Sequence, residues 1–380
     1  MKAFEWNLDL LLKKEKELNE KVNLYQEELA VYRALINNYS IDICDSRKNS
    51  DKYFENDIEE HVNCFSLDDF IENVFCNSNM TQLKLLNKSM HILKNYHYKY
   101  NHRILTPCYL NNSELVNYVV YLAHKIPNEQ FISTFKNFTD QEKHLLHIKH
   151  HEKLPTGNRG LTFVDTEKHI PYGLVARENT VHDIVTLGHE LFHMVVRRNE
   201  APFFLDSTKT IYTETEGYFA TMLFGDLLIE EQYPKGDIFF LNSYDLKSVA
   251  DSINDIFVTV TALDTINNDG KINFNALRNL LMKYNITNPI NKKNFKGYLS
   301  NFFNDDANDA FSYLVALDLY YLYKKDPEKS LYNVLKIPDL EGQNIEKDLE
   351  SINVTFFEDG YQNLDSHCKQ LLKRRTTLPK

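Results

Sequence analysis

The sequence predicts a mainly α-helical fold, and three observations carry that expectation. Glycine and proline are scarce, 11 and 10 in 380 residues, where average usage would put about twice as many of each. These residues punctuate turns, so an all-β or Rossmann-like chain is disfavoured. Apolar residues make up 43% of the chain, with 24 Phe and 23 Tyr, enough to build a large core and too many for a disordered body. Finally, apolar residues recur at helical steps over long stretches, and only two short segments read convincingly as strands.

The elements follow in order. Leu11, Leu18, Val22, Tyr25, Leu29, Tyr32 and Ile36 fall at steps of three, four or seven with Lys and Glu between them, which predicts one long amphipathic helix packed on a neighbour in its own chain. The polar stretch Asp42 to Asp57 reads as a loop, and two or three helices fill Asp57 to His102. A helical N-terminal subdomain is expected over residues 1–77 and a larger domain over 78–380, with a cleft between them. Ser113-Glu114-Leu115-Val116 opens another helix through Leu122. The strand signals are Gly160 to Asp165 and Ile170 to Ala176, a small sheet just ahead of a long helical stretch that begins after Thr180. Ala307 to Lys325 and Tyr361 to Arg374 read as helices, and there is no internal repeat.

Charge and cysteine usage narrow the setting. Forty-three Lys and Arg against 54 Asp and Glu leave a net charge of −11, which argues against nucleic acid as a partner. No apolar run suits a signal peptide or a membrane span, so a cytoplasmic protein without a membrane partner is expected. Five widely spaced cysteines without a Cys-x-x-Cys pair fit reduced thiols.

The segment 180–198, TVHDIVTLGHELFHMVVRR, carries the chemistry. Thr180 and Asp183 make a capping-box-like start, Arg197 and Arg198 suit the negative helix end, and Ile184, Val185, Leu187, Leu191 and Val195 supply burial. His189 and His193 stand four residues apart, about 40° around the axis and about 6 Å along it, so both imidazoles can reach one metal ion. Glu190 points about 100° away, off the metal but within reach of a water that the metal activates. Two nitrogen ligands, a carboxylate base and an activated water are the division of labour in His-Glu-x-x-His zinc peptidases. A third protein ligand is then needed. Thr213-Glu214-Thr215-Glu216 opens the next helix and offers two glutamates, and spacing alone does not choose between Glu214 and Glu216.

Asp183 to His193 resembles the active-site helix of the thimet oligopeptidase and oligoendopeptidase F family of zinc metallopeptidases, especially the latter branch. Gly157-Asn-Arg-Gly160 and Ile170-Pro-Tyr-Gly-Leu-Val175 are similar to the strands before that helix, Glu214-Thr-Glu-Gly-Tyr-Phe219 to the segment whose first glutamate binds zinc, and residues 311–335 and 337–372 to the closing helices. The resemblance spans about Ser113 to Leu372 and implies a mainly helical zincin-like fold with a deep cleft, one Zn2+ per chain held by His189, His193 and Glu214, Glu190 as general base, and short peptides as substrates. This sequence also departs from the family. Phe192 stands where glycine is usual, placing a bulky ring beside the metal face, and Val196 stands where histidine is common. Asn304 and Val315 replace a histidine and a tyrosine that donate hydrogen bonds to the reaction intermediate. Tyr313 is the retained tyrosine nearby and the expected catalytic donor, with Tyr298, Tyr320 and Tyr321 as substitutes. The shortened N-terminal part implies a more open cleft.

Two other patterns echo metal sites. His144, His147 and His151 fall at i, i+3 and i+7 on a predicted helix, among lysines that mark a solvated face. Thr265 to Ala276 has an EF-hand outline, but Thr265 and Ala276 occupy the positions that need Asp and a bidentate Glu, so it reads as a turn between helices. The sequence therefore predicts a zinc-dependent endopeptidase acting on peptides or extended protein segments, with the Gly160 to Val164 strand binding substrate main chain. The alternatives are a zinc-containing peptide-binding protein with impaired catalysis and a processing peptidase or effector with one protein target.

Overall fold

The computed structural model describes residues 105–140, 145–150, 159–164, 170–197, 214–263, 272–283, 307–340, 345–354 and 361–376, with single positions such as Tyr212 and Thr265 between them. The expected helix from Leu11 to Ile36, the subdomain boundary near Asn77 and the cleft beside it lie outside these residues. What is described is mainly helical with one small sheet, as the scarcity of turn residues predicts.

Two helices come first, α1 (Asn112–Ala123) and α2 (Glu129–Phe138). Asn111 and Glu114 form a reciprocal capping box at the start of α1, and Asn128 accepts from the Phe131 amide at the start of α2. Three strands follow: β1 (Leu146–His150), β2 (Gly160–Val164) and β3 (Pro171–Arg177). Their spatial order is β1-β3-β2, with β1 parallel and β2 antiparallel to β3. The central strand β3 is buried at all seven positions, and the helix that carries the motif packs on it.

β1 corrects the expected histidine-bearing helix. Its residues pair with β3 from Leu146↔Gly173 to His150↔Arg177, so His147 stands on a strand, where successive side chains alternate between the two faces, and not on a helix. Of the three histidines only His147 lies within the described residues. The helical periodicity of the segment was outweighed by a buried apolar neighbour in need of a hydrogen-bonded partner strand.

The motif helix, α3, spans His182–Val196, and α4 spans Thr215–Glu230. The two pack closely, and α4 also lies against α7 (Ala307–Tyr323) and α5 (Lys235–Leu263). After α5, the Thr265 carbonyl accepts from the Asn273 amide at 3.0 Å, drawing the chain into α6 (Phe274–Lys283). The two ends of the segment expected to be a turn between helices are thus joined by a hydrogen bond, and residues 266–271 between them lie outside the described residues. α8 (Pro327–Val334), α9 (Ile345–Ser351) and α10 (Tyr361–Thr376) complete the described chain, with α10 packed on α7. Cys108 and Cys368 are buried free thiols. No helix among the described residues is long and apolar enough to cross a membrane.

One expectation about α3 needs correction. Phe192 does not crowd the metal face. It is fully buried, with its ring 4.4 Å from that of Phe131, 5.9 Å from Phe219, 6.0 Å from Phe135 and 6.2 Å from Phe224, so it fills the core between α2 and α4. Arg197 stands at the C-terminal end of α3, as expected. It is buried and turns across to Glu216 on α4.

Candidate metal centre

The start of α3 is fixed by a buried carboxylate. Asp183 accepts from the Glu178 amide at 3.0 Å and the Thr180 amide at 3.2 Å, and faces Arg177 at 3.6 Å. Thr180 Oγ1 accepts from the His182 amide at 3.3 Å. The predicted capping pair is therefore present, with the hydroxyl serving His182. These contacts set the rotation of α3, so that His189 and His193 face α4 while Glu190 faces β2.

Glu214 sits at the N-cap of α4 with a non-helical backbone, φ −102 and ψ 2. That conformation returns its carboxylate towards α3, where Oε2 lies 3.3 Å from His189 Nε2 and 3.4 Å from His193 Nε2. The two Nε2 atoms are 3.0 Å apart. Glu216, the second residue of the helix, reaches the opposite side of the ring and accepts from His193 Nδ1 at 2.9 Å. The structure thus brings Glu214 to the centre of the cluster and Glu216 behind it, the choice that spacing left open.

The hydrogen bonds define the tautomers. With a carboxylate as its partner, His193 Nδ1 carries the proton. Thr221 Oγ1 donates to the Gly217 carbonyl at 3.1 Å, so at 3.2 Å it accepts from His189 Nδ1. With Nδ1 as the only protonated nitrogen of each ring, both Nε2 atoms would present lone pairs to each other and to the Glu214 carboxylate. Three such acceptors converging this closely call for a positive charge among them, supplied by a proton on His193 Nε2 or by a metal ion that displaces it. A tetrahedral ion with bonds of about 2.1 Å would separate its ligands by about 3.4 Å, and the observed separations are 3.0, 3.3 and 3.4 Å. The donor set and its spacing fit a metal of the zinc type.

Electrostatics agree. Burial opposes charge on His193, yet Glu214 and Glu216 more than offset it and raise its pKa to about 10. Burial works against the Glu214 carboxylate too, and the two histidines reverse that and hold it low. A site that attracts a proton so strongly also attracts a metal ion, which displaces that proton.

Glu190 lies beside this cluster, buried, with Oε2 accepting from Thr162 Oγ1 at 2.7 Å. Burial raises its pKa, against the histidines and the Thr162 hydrogen bond, which suits a group that must take up and release a proton. Gly160 on β2 leaves the space: a Cβ there would stand 2.0 Å from Glu190 Oε1. β2 is an edge of the three-stranded sheet among the described residues.

The tyrosines divide. Tyr320 donates to Asp226, and the ring of Tyr321 packs on His367, 6.3 Å away. Tyr298 and Asn304 lie outside the described residues, and Val315 is fully buried. Tyr313 is buried with its ring 5.2 Å from that of Tyr218, and the half-buried Tyr218 meets His189 edge-on at 6.3 Å. Sequence reasoning did not single out Tyr218 beside the cluster, although it stands one helical turn after Glu214. It also missed Asp245 on α5, whose pKa burial raises to about 7 against His189 and Arg159. Burial, with Arg159 and His189 adding to it, pushes His182 down to about 3 and keeps that ring neutral.

No protein-family model matches the sequence, and no curated protein does. Solved structures do. A candidate peptidase from Chlamydophila abortus superposes with a TM-score of 0.57 at 12% identity, covering 82% of this chain and 57% of that one. The chain has the fold of that protein. A candidate oligoendopeptidase F from Bacillus anthracis strain Ames gives a TM-score of 0.48 at 12% identity, over 94% of this chain and 64% of its own. PZ peptidase A gives 0.49 at 12% identity, over 97% and 70%. This chain thus spans 64% and 57% of the first two proteins' lengths.

Proposed function

We propose that the protein is a zinc-dependent endopeptidase of the oligoendopeptidase F type, with His189, His193 and Glu214 holding the metal and Glu190 acting as general base. The observation that carries this reading is the convergence of two imidazole Nε2 atoms and a carboxylate within 3.4 Å of one another, beside a second, buried carboxylate. The metal would supply a Lewis acid that lowers the pKa of water towards about 7 and polarises the scissile carbonyl. Glu190 takes the proton from the attacking water and delivers it to the leaving amine, and Thr162 holds its carboxylate in place for both transfers. Tyr218 presents its phenol on the His189 side to the developing oxyanion, with Tyr313 supporting the ring from behind. The edge strand β2, bearing Thr162 and Gly160 next to Glu190, offers main-chain hydrogen bonds to an extended peptide, which favours unfolded segments over folded domains. The resemblance to oligoendopeptidase F and the fold shared with the Chlamydophila peptidase support peptides as substrates, and the acidic net charge speaks against nucleic acid. A cytoplasmic site of action completes the proposal.

Mass spectrometry of a diverse peptide library incubated with the zinc-loaded protein and with Glu190→Gln tests it. The expected result is many cuts by the parent and a loss of about 10²–10⁴ in the variant. A single cut site would identify a one-target processing enzyme. Equal cleavage by both proteins, or none by the parent, overturns the peptidase reading.

A further inference from the structure

The two histidines of the cluster look alike in sequence but are backed differently. His189 Nδ1 donates to a hydroxyl, Thr221 Oγ1. His193 Nδ1 donates to a carboxylate, Glu216 Oε1. Glu216 is fully buried, and the same oxygen also accepts from Arg197 Nε. Arg197 is itself buried, four residues beyond His193 on the same helix face, and its Nη2 donates to the Tyr212 carbonyl at 3.4 Å. Glu216 Oε2 has no hydrogen-bond partner among the described residues. A carboxylate in the interior, with one oxygen shared by an imidazole and a guanidinium, is costly unless it serves something besides packing.

We propose that Glu216, held by Arg197, is a positioning residue that makes His193 the dominant metal ligand and leaves His189 the weaker one. The inference rests on the metal site of the proposed function but concerns the unequal strength of its two nitrogen ligands. A carboxylate acceptor fixes the Nδ1–H tautomer and makes Nε2 more electron-rich than a hydroxyl acceptor does. The ion pair with Arg197 fixes the carboxylate in turn, so the ring of His193 cannot rotate without breaking its bond to a carboxylate that is held in place. On the His189 side the restraint at Nδ1 among the described residues is the neutral bond to Thr221.

Zinc affinity, measured by competition with a chromophoric chelator on the full chain, reads this directly. Glu216→Gln keeps an acceptor of the same shape but removes the charge, and should weaken zinc binding about 10–100-fold. Thr221→Val should weaken it less than about fivefold, since only a neutral hydrogen bond is lost. Equal affinities for Glu216→Gln and parent, or a larger loss in Thr221→Val, overturn the proposal. Glu216→Gln also removes the charge that Arg197 faces, so a second measurement that is free of any folding defect uses the parent alone. In the zinc-loaded protein with 15N-labelled histidine, both rings should carry the proton on Nδ1, with that of His193 further downfield and slower to exchange. A His193 proton on Nε2, or equivalent Nδ1 protons on the two rings, is the contrary result. Loss of affinity in Glu216→Gln from a protein that cleaves no peptide would leave this inference standing and remove the peptidase reading. Cleavage with unchanged affinity would do the reverse.

Discussion

The Cα of Gly217 lies so close to His189 that a Cβ on it would stand 2.4 Å from both Cε1 and Nε2 of the imidazole, and 2.6 Å from His193 Nε2. The first turn of α4 therefore lies directly against the metal-binding edge of both rings, and only glycine admits that approach. On an exposed helix Gly→Ala stabilises by about 1 kcal/mol. Here Gly217→Ala should instead push the imidazoles apart and cost most of the zinc affinity. Gly160→Ala should act on the other partner, displacing the Glu190 carboxylate that a Cβ would meet at 2.0 Å. Zinc content and peptide turnover separate the two: Gly217→Ala loses both, and Gly160→Ala keeps zinc and loses turnover.

The tyrosine pair gives a second test. Tyr218→Phe keeps the ring that meets His189 but removes its hydroxyl. Loss of an oxyanion donor costs about 10²–10³ in kcat, and that loss is expected here with KM little changed. Tyr313 is buried behind the Tyr218 ring, so Tyr313→Phe should cost less than about tenfold. A larger loss in Tyr313→Phe than in Tyr218→Phe would make Tyr313 itself the donor.

Asp245 supplies a pH dependence. Burial raises its pKa in the folded chain to about 7, from an unperturbed value of 3.8. The folded state thus binds this proton more tightly than the unfolded state does. Its contribution to stability is complete below about pH 4 and is lost as the pH rises through about 7. Asp245→Asn stays neutral, so in metal-free protein its Tm relative to the parent should rise between pH 4 and pH 8. A difference that stays flat or falls would show that this carboxyl is not held protonated by burial.

Much of this site was legible in the sequence, for reasons specific to particular residues. His189, Glu190 and His193 could be placed because the helix between Thr180 and Arg197 carries both its end signals and its burial periodicity. Glu214 and Glu216 could not be separated, because the distinction depends on a backbone turn at the N-cap of α4 that spacing does not encode. Both proved to face His193, from opposite sides of its ring. Phe192 was misplaced because a comparison with related sequences shows what residue is unusual but not which way it points. Four neighbouring phenylalanines far apart in sequence decide that. β1 was read as helix because its pairing partner, β3, lies more than twenty residues away, and periodicity within a short window does not register such a neighbour.

The central claim is that His189, His193 and Glu214 hold one zinc ion. The most direct measurement is the metal content of protein dialysed against zinc and then against buffer, for the parent and for Glu214→Ala. The account predicts about one zinc per chain in the parent and less than about a tenth of that in the variant, with helix content unchanged. A parent without stoichiometric zinc, or a variant that retains as much as the parent, would contradict it.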